Sequence, residues 1–130
     1  MANALYPLWK ANLIQATAGT SLTGTLKVAL STAAYNSAHQ FYSSVSASTI
    51  GTPQTLGSKT YTSGVLDAAD VTYTAVSGAQ VTALIIYLDT GTGSTSVLVA
   101  FIDTGQTGLP VTPNGGDISI VWNASGIFAL

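Results

Sequence analysis

The sequence predicts an all-β domain, mainly antiparallel and of β-sandwich or jelly-roll-like type, with a short N-terminal helix. Three observations carry this. Beyond Gly51, Thr, Val, Tyr and Ile are enriched, and Gly, Pro, Asn and Asp interrupt them at intervals of about ten residues, the spacing of strands in a sandwich or barrel. Two nearly continuous apolar runs, residues 81–89 and 97–103, suit central strands covered on both faces. Ahead of them, Leu5, Leu8, Trp9, Leu13 and Ala16 recur at three- and four-residue steps, the period of an amphipathic helix. The 130 residues make one domain, with 1–20 as an N-terminal helical arm and 24–130 as the sandwich.

The elements follow in order. Pro7 suits a first helical turn and Gly19 a helix stop. In 25–31, Leu26, Val28 and Leu30 alternate with Thr25, Lys27 and Ala29, so a half-buried strand with one inward face is expected. Residues 37–46 place Ala38, Phe41, Tyr42 and Val45 at helical steps, but serine competes for its own backbone there, so a short helix or a turn is expected. Further strands are expected at 52–56, 58–65, 71–76, 81–89, 97–103, 117–123 and 127–130. The glycine-bearing stretch 90–96 closes an antiparallel hairpin between the two apolar strands. Residues 109–116 contain two prolines and two glycines and read as a loop.

Composition excludes several function classes. Only 6% of residues are charged, while 47% are hydrophobic, so disorder by charge repulsion is excluded. Three lysines face five aspartates, with no arginine or glutamate, so a nucleic-acid backbone finds no basic cluster to neutralise it. There is no cysteine, hence no disulfide framework, thiolate nucleophile or zinc ribbon. No apolar run approaches the roughly 18 to 20 residues that span a bilayer, and no basic stretch precedes an apolar one at the N-terminus. The expectation is a soluble, unprocessed chain without membrane or nucleic-acid partners. A net charge of only −2 favours association with other protein.

Candidate chemistry is sparse. Asp89-Thr90-Gly91 and Asp103-Thr104-Gly105 each follow an apolar strand, as in aspartic proteases, where two such loops pair their carboxylates to activate water. Here one hairpin separates them, which sets the aspartates at opposite ends of an antiparallel pair. Neither a glycine-bearing flap nor a later apolar-apolar-glycine segment accompanies them, and aspartate accepting backbone hydrogen bonds in a turn is the better account. His39, the only histidine, sits beside Gln40 and Phe41 without a nucleophile elbow. Asp67 and Asp70 could share a calcium ion, but the closing glutamate of an EF-hand is missing, and a turn between strands accounts for them. Gly91-Thr92-Gly93 and Gly115-Gly116 lack the lysine and helix of a phosphate cradle. No catalytic, cofactor-binding or metal-ligating residue is therefore expected.

Several segments together resemble a family of small tailed-bacteriophage virion proteins. They are Ala4-Leu5-Tyr6-Pro7, Leu26-Lys27-Val28-Ala29-Leu30, residues 35–41 with Ala38-His39, residues 65–71 with Asp67 and Asp70, the loop 107–116, and Ile127-Phe128-Ala129-Leu130. The similarity runs nearly end to end. The sequence departs from that pattern at Ser31-Thr32 and in lacking an arginine near the end. The resemblance implies a capsid decoration, or cement, protein on the outer capsid surface of the virion, reached from the host cytoplasm during assembly. Its partners would be the major capsid protein and further copies of itself, a homotrimer being favoured narrowly over a dimer. Large apolar residues near the chain ends nominate Leu5, Leu8, Trp9, Ile127, Phe128 and Leu130 as contacts with subunits or lattice, although 127–130 suits a core strand equally well. Other readings are a tail, neck or fibre-base component, a receptor- or glycan-binding adhesin module, and an aspartic-type hydrolase.

Overall fold

Strands that are apolar at successive positions belong in the middle of a sheet covered on both faces. The structure is a computed structural model and describes residues 3–15 and 21–129. In chain order it contains β1 (Ala4–Leu5), α1 (Pro7–Ile14), β2 (Leu26–Ser31), β3 (Thr49–Thr55), β4 (Val65–Leu66), β5 (Val71–Tyr73), β6 (Ala83–Leu88), β7 (Leu98–Ile102), β8 (Ile118–Ile120) and β9 (Phe128–Ala129). Short 3₁₀ turns lie at Tyr42–Ser44, Ser46–Ser48 and Thr62–Gly64. The main sheet runs β1-β7-β6-β2-β3, and two ribbons, β4-β9 and β5-β8, complete the fold. All pairings among these strands are antiparallel. The expected all-β class with a short N-terminal helix is what the chain adopts.

Side-chain alternation divides the main sheet into two faces. Opposite pairs such as Leu84 and Ile102, or Ile86 and Ala100, point to one face, and Ile85 and Phe101 to the other. The first face meets the two ribbons. Leu26, Val28, Leu30, Leu84 and Ile86 pack there with Leu66, Tyr73, Ile118, Ile120, Trp122 and Trp9. The Tyr73 hydroxyl crosses this core to donate to the Val28 carbonyl at 2.8 Å. Residues of the 32–48 segment and Tyr6 cover the second face, where Ala29, Ile85, Tyr87, Leu98 and Phe101 pack with Val45, Tyr35 and Tyr42. The Tyr42 and Tyr87 rings stack at 4.1 Å.

Four expectations change. The strand 25–31 is covered on both faces, with Ala29 and Ser31 at 0% and 1% exposure, because the 32–48 segment folds back across it. No strand fills 58–65. Ser63 turns to φ 56°, while the Lys59 ammonium donates to the Leu22 and Gly24 carbonyls and the Tyr61 hydroxyl donates to Leu22; only Val65–Leu66 pairs as strand. Residues 71–76 stop pairing at Tyr73, since Ala75 has φ 51° and its N–H bonds the Asp117 carboxylate instead. At the N-terminus, Leu5 belongs to a strand that pairs with β7, and the helix begins at Pro7. Ala16, Gly19 and Leu130 lie outside the described residues.

Candidate functional site

Among the described residues, pairing leaves some strand edges without a neighbour: β1 pairs only with β7, and β9 only with β4. Both line one groove of about 170 Å³, together with Asn3 and Ile102. Asn3 fixes β1 at its start. Its Oδ1 accepts the N–H groups of Asp103 at 2.7 Å and Thr104 at 2.9 Å, and its Nδ2 donates to the Thr104 carbonyl. On the other side, Ile127 donates its N–H to the Leu66 carbonyl at 2.7 Å, which brings β9 alongside β4.

The nominated contact residues separate by burial. Trp9 is fully buried, and its ring meets Phe128 edge-on at a centroid distance of 5.9 Å. Ile127 is 8% exposed and belongs to the same core. Leu5 and Phe128 are half-buried against that core, while half-buried Leu8 belongs to neither cluster. The apolar surface left in this groove is therefore that of Leu5 and Phe128, with half-buried Leu8 on the helix α1 that follows β1, and Trp9 and Ile127 hold these elements in place.

The other candidates lie apart from one another. Asp89 and Asp103 follow opposite ends of the β6-β7 hairpin, too far apart in the fold to share a proton. Asp89 pairs with Lys27 at 3.4 Å and accepts the Gly91 N–H at 3.1 Å. Asp67 accepts the Ala68 N–H within the turn between β4 and β5, and Asp70 at the end of that turn accepts the N–H of Trp122, which follows β8. Among the described residues no three His, Cys, Asp or Glu side chains cluster as a metal site. His39 is half-buried in a turn closed by its N–H to the Asn36 carbonyl, and its Nδ1 is shielded from solvent and has no hydrogen-bond partner among the described residues. Burial, chiefly, pushes the phenols of Tyr6, Tyr73 and Tyr87 far above their ordinary range; the neutral ring is the form that the core accepts.

Sequence reasoning missed β1 and the Asn3 clamp. A two-residue strand is too short for a period-two signal, and the steps from Leu5 to Leu8 and Trp9 match a helix. No known protein-family model matches the chain, and a search of curated proteins finds no match. No helix among the described residues is long and apolar enough to cross a membrane.

Proposed function

We propose that the protein is a structural virion component of a tailed bacteriophage that decorates the capsid and stabilises it by binding the outer face of its major capsid protein. The observation that carries this reading is the groove lined by β1 and β9, with Leu5 and Phe128 half-buried along it and Leu8 on the adjoining helix α1, on elements pinned by buried Trp9 and Ile127. Strand edges that lack a neighbouring strand accept a further one, and half-buried apolar side chains beside them supply contact area. The family resemblance and the low charge support the same assignment.

The mechanism is mass action. A module that binds the assembled lattice and not the free subunit stabilises the lattice by its binding free energy. Self-association, as a trimer in preference to a dimer, multiplies that effect through avidity, so each single contact can be weak.

Quantitative mass spectrometry of purified phage particles tests the assignment. A copy number near that of the major capsid protein, or a simple fraction of it set by the shell's symmetry, is the expected result. About a dozen copies or fewer per particle would move the protein to the neck, tail or fibre base, where rotational symmetry is low. Its absence from particles would end the virion reading.

A further inference from the structure

The loops that follow β7 and β8 form a second cleft, of about 290 Å³, which shares Asn3 and Ile102 with the β1-β9 groove. Residues 104–106 make one wall and 123–126 the other. Its floor is apolar and packed, from Ile102, Trp122 and Ile127. Hydrogen bonds hold the backbone of both walls. The Asn3 clamp holds the first; in the second, Asn123 Oδ1 accepts the Ser125 N–H at 2.8 Å, and the Asn123 carbonyl accepts the Gly126 N–H at 2.9 Å. Thr107 and Val121 exchange backbone hydrogen bonds of 2.8 and 3.1 Å and tie the walls together at their base. Preorganisation of this kind lowers the entropic cost of binding.

The hydrogen-bonding capacity left over lies on those walls. Asn123 Nδ2 reaches toward the opposite wall, 3.8 Å from where a Cβ on Gly105 would stand. Gln106 Oε1 is shielded from solvent and accepts no hydrogen bond among the described residues, an uncommon state for a native side chain that calls for an explanation. No charged side chain lines the cleft, so phosphate, sulfate and cations find no counter-charge there. A wholly apolar ligand would desolvate the amides without replacing their lost hydrogen bonds. The lining suits a neutral ligand with many hydroxyls, and the volume lies at the lower end of small-molecule sites, about 300 to 1,000 Å³.

We propose that this cleft binds a neutral sugar, a mono- or disaccharide unit of a glycan, with the Asn123 amide, and the Gln106 amide once its side chain turns into the cleft, hydrogen-bonding its hydroxyls above the apolar floor. The capsid reading rests on Leu5, Leu8 and Phe128, none of which lines this cleft, and on a protein partner, so the two readings fail separately.

The test is a ¹H–¹⁵N NMR titration of the full chain with maltose, methyl galactoside, methyl mannoside and N-acetylglucosamine, alongside two variants. Asn123→Asp keeps the Oδ1 that closes the Ser125 turn and removes the Nδ2 donor. Gln106→Leu removes an amide whose oxygen has no partner among the described residues, so its unfolding midpoint should equal or exceed that of the wild type. The expected result is saturable shifts at Gly105, Gly126 and the Trp122 indole with at least one of these sugars. Each variant should weaken that binding about tenfold, the worth of one good hydrogen bond. Absence of saturable shifts with all four sugars overturns the proposal. So does saturable binding that maps elsewhere, or that both variants leave unchanged.

Discussion

Tyr73 shows what a single buried polar group does in this core. Its phenol is neutral, is 1% exposed and donates to the Val28 carbonyl. Burial, and after it the nearby Tyr87, raises its pKa well above the ordinary 10.0. The sign follows from proton counting. Below pH 10 both folded and unfolded chains keep the proton, and the full stabilisation is present. Above it the unfolded chain releases the proton while the folded chain keeps it, so stability falls by about 1.4 kcal/mol per pH unit for this residue. Urea unfolding between pH 9 and 11.5 should show the decline, and Tyr73→Phe should make it shallower by one proton's worth. At pH 7 the same substitution should cost about 1 kcal/mol, the worth of one hydrogen bond. Asp89 sets the opposite limit, because its pair with Lys27 is partly solvated, at 22% and 33% side-chain exposure. Asp89→Asn should change stability by less than about 1 kcal/mol in the same assay. The separation of Asp89 from Asp103 was legible in the sequence, since a hairpin geometry forces it. The role of Tyr73 was not, because its partner lies 45 residues away.

At the scale of elements, the β4-β9 ribbon depends on one glycine. Gly126 has φ +105°, and a Cβ there would stand 2.3 Å from Val65 Cγ1 and 3.1 Å from the Leu66 carbonyl oxygen. Gly115 also has positive φ, +87°, but a Cβ would meet nothing within 4 Å. The two positions separate backbone strain from steric clash. Gly115→Ala should cost about 1 kcal/mol, the strain of a left-handed alanine. Gly126→Ala should cost about 3 kcal/mol or more, because β9 must also move off β4, and thermal unfolding of the two variants measures the difference. Legibility at this scale follows what each element contacts. The β6-β7 hairpin could be read because a strand covered on both faces must be apolar throughout, and Leu84, Ile85, Ile86, Leu98 and Val99 are all fully buried. The 58–65 segment could not be read, since its shape answers to Lys59 and Tyr61 holding carbonyls of residues 22 and 24. Nothing local announces such long-range contacts, and Thr, Tyr and Val supply strand propensity regardless.

For the whole molecule, the question is whether the β1-β9 edge joins copies of the chain. A net charge of −2 over 130 residues provides little repulsion between copies, so contact chemistry at the edge decides the outcome. Truncating residues 127–130 is a poor probe by itself. Ile127 belongs to the core and Phe128 meets the Trp9 ring, so the deletion would damage the fold and the edge together. Leu8 separates the two effects, being half-buried and outside both core clusters. Leu8→Glu places a charge on α1, the helix whose Trp9 meets Phe128 of β9, and a change outside the core clusters shifts stability by roughly 0.5 kcal/mol or less. In light scattering coupled to size-exclusion chromatography, the wild type should run as an oligomer, a trimer by expectation, and Leu8→Glu as a monomer with an unchanged unfolding midpoint. Trp9→Ala should behave in the reverse way, losing about 3 to 5 kcal/mol of fold stability before any effect on assembly is visible. A Leu8→Glu protein that assembles as the wild type does would place the interface elsewhere, and the unpaired edge of β3, on the far side of the same sheet, would then be the surface to test.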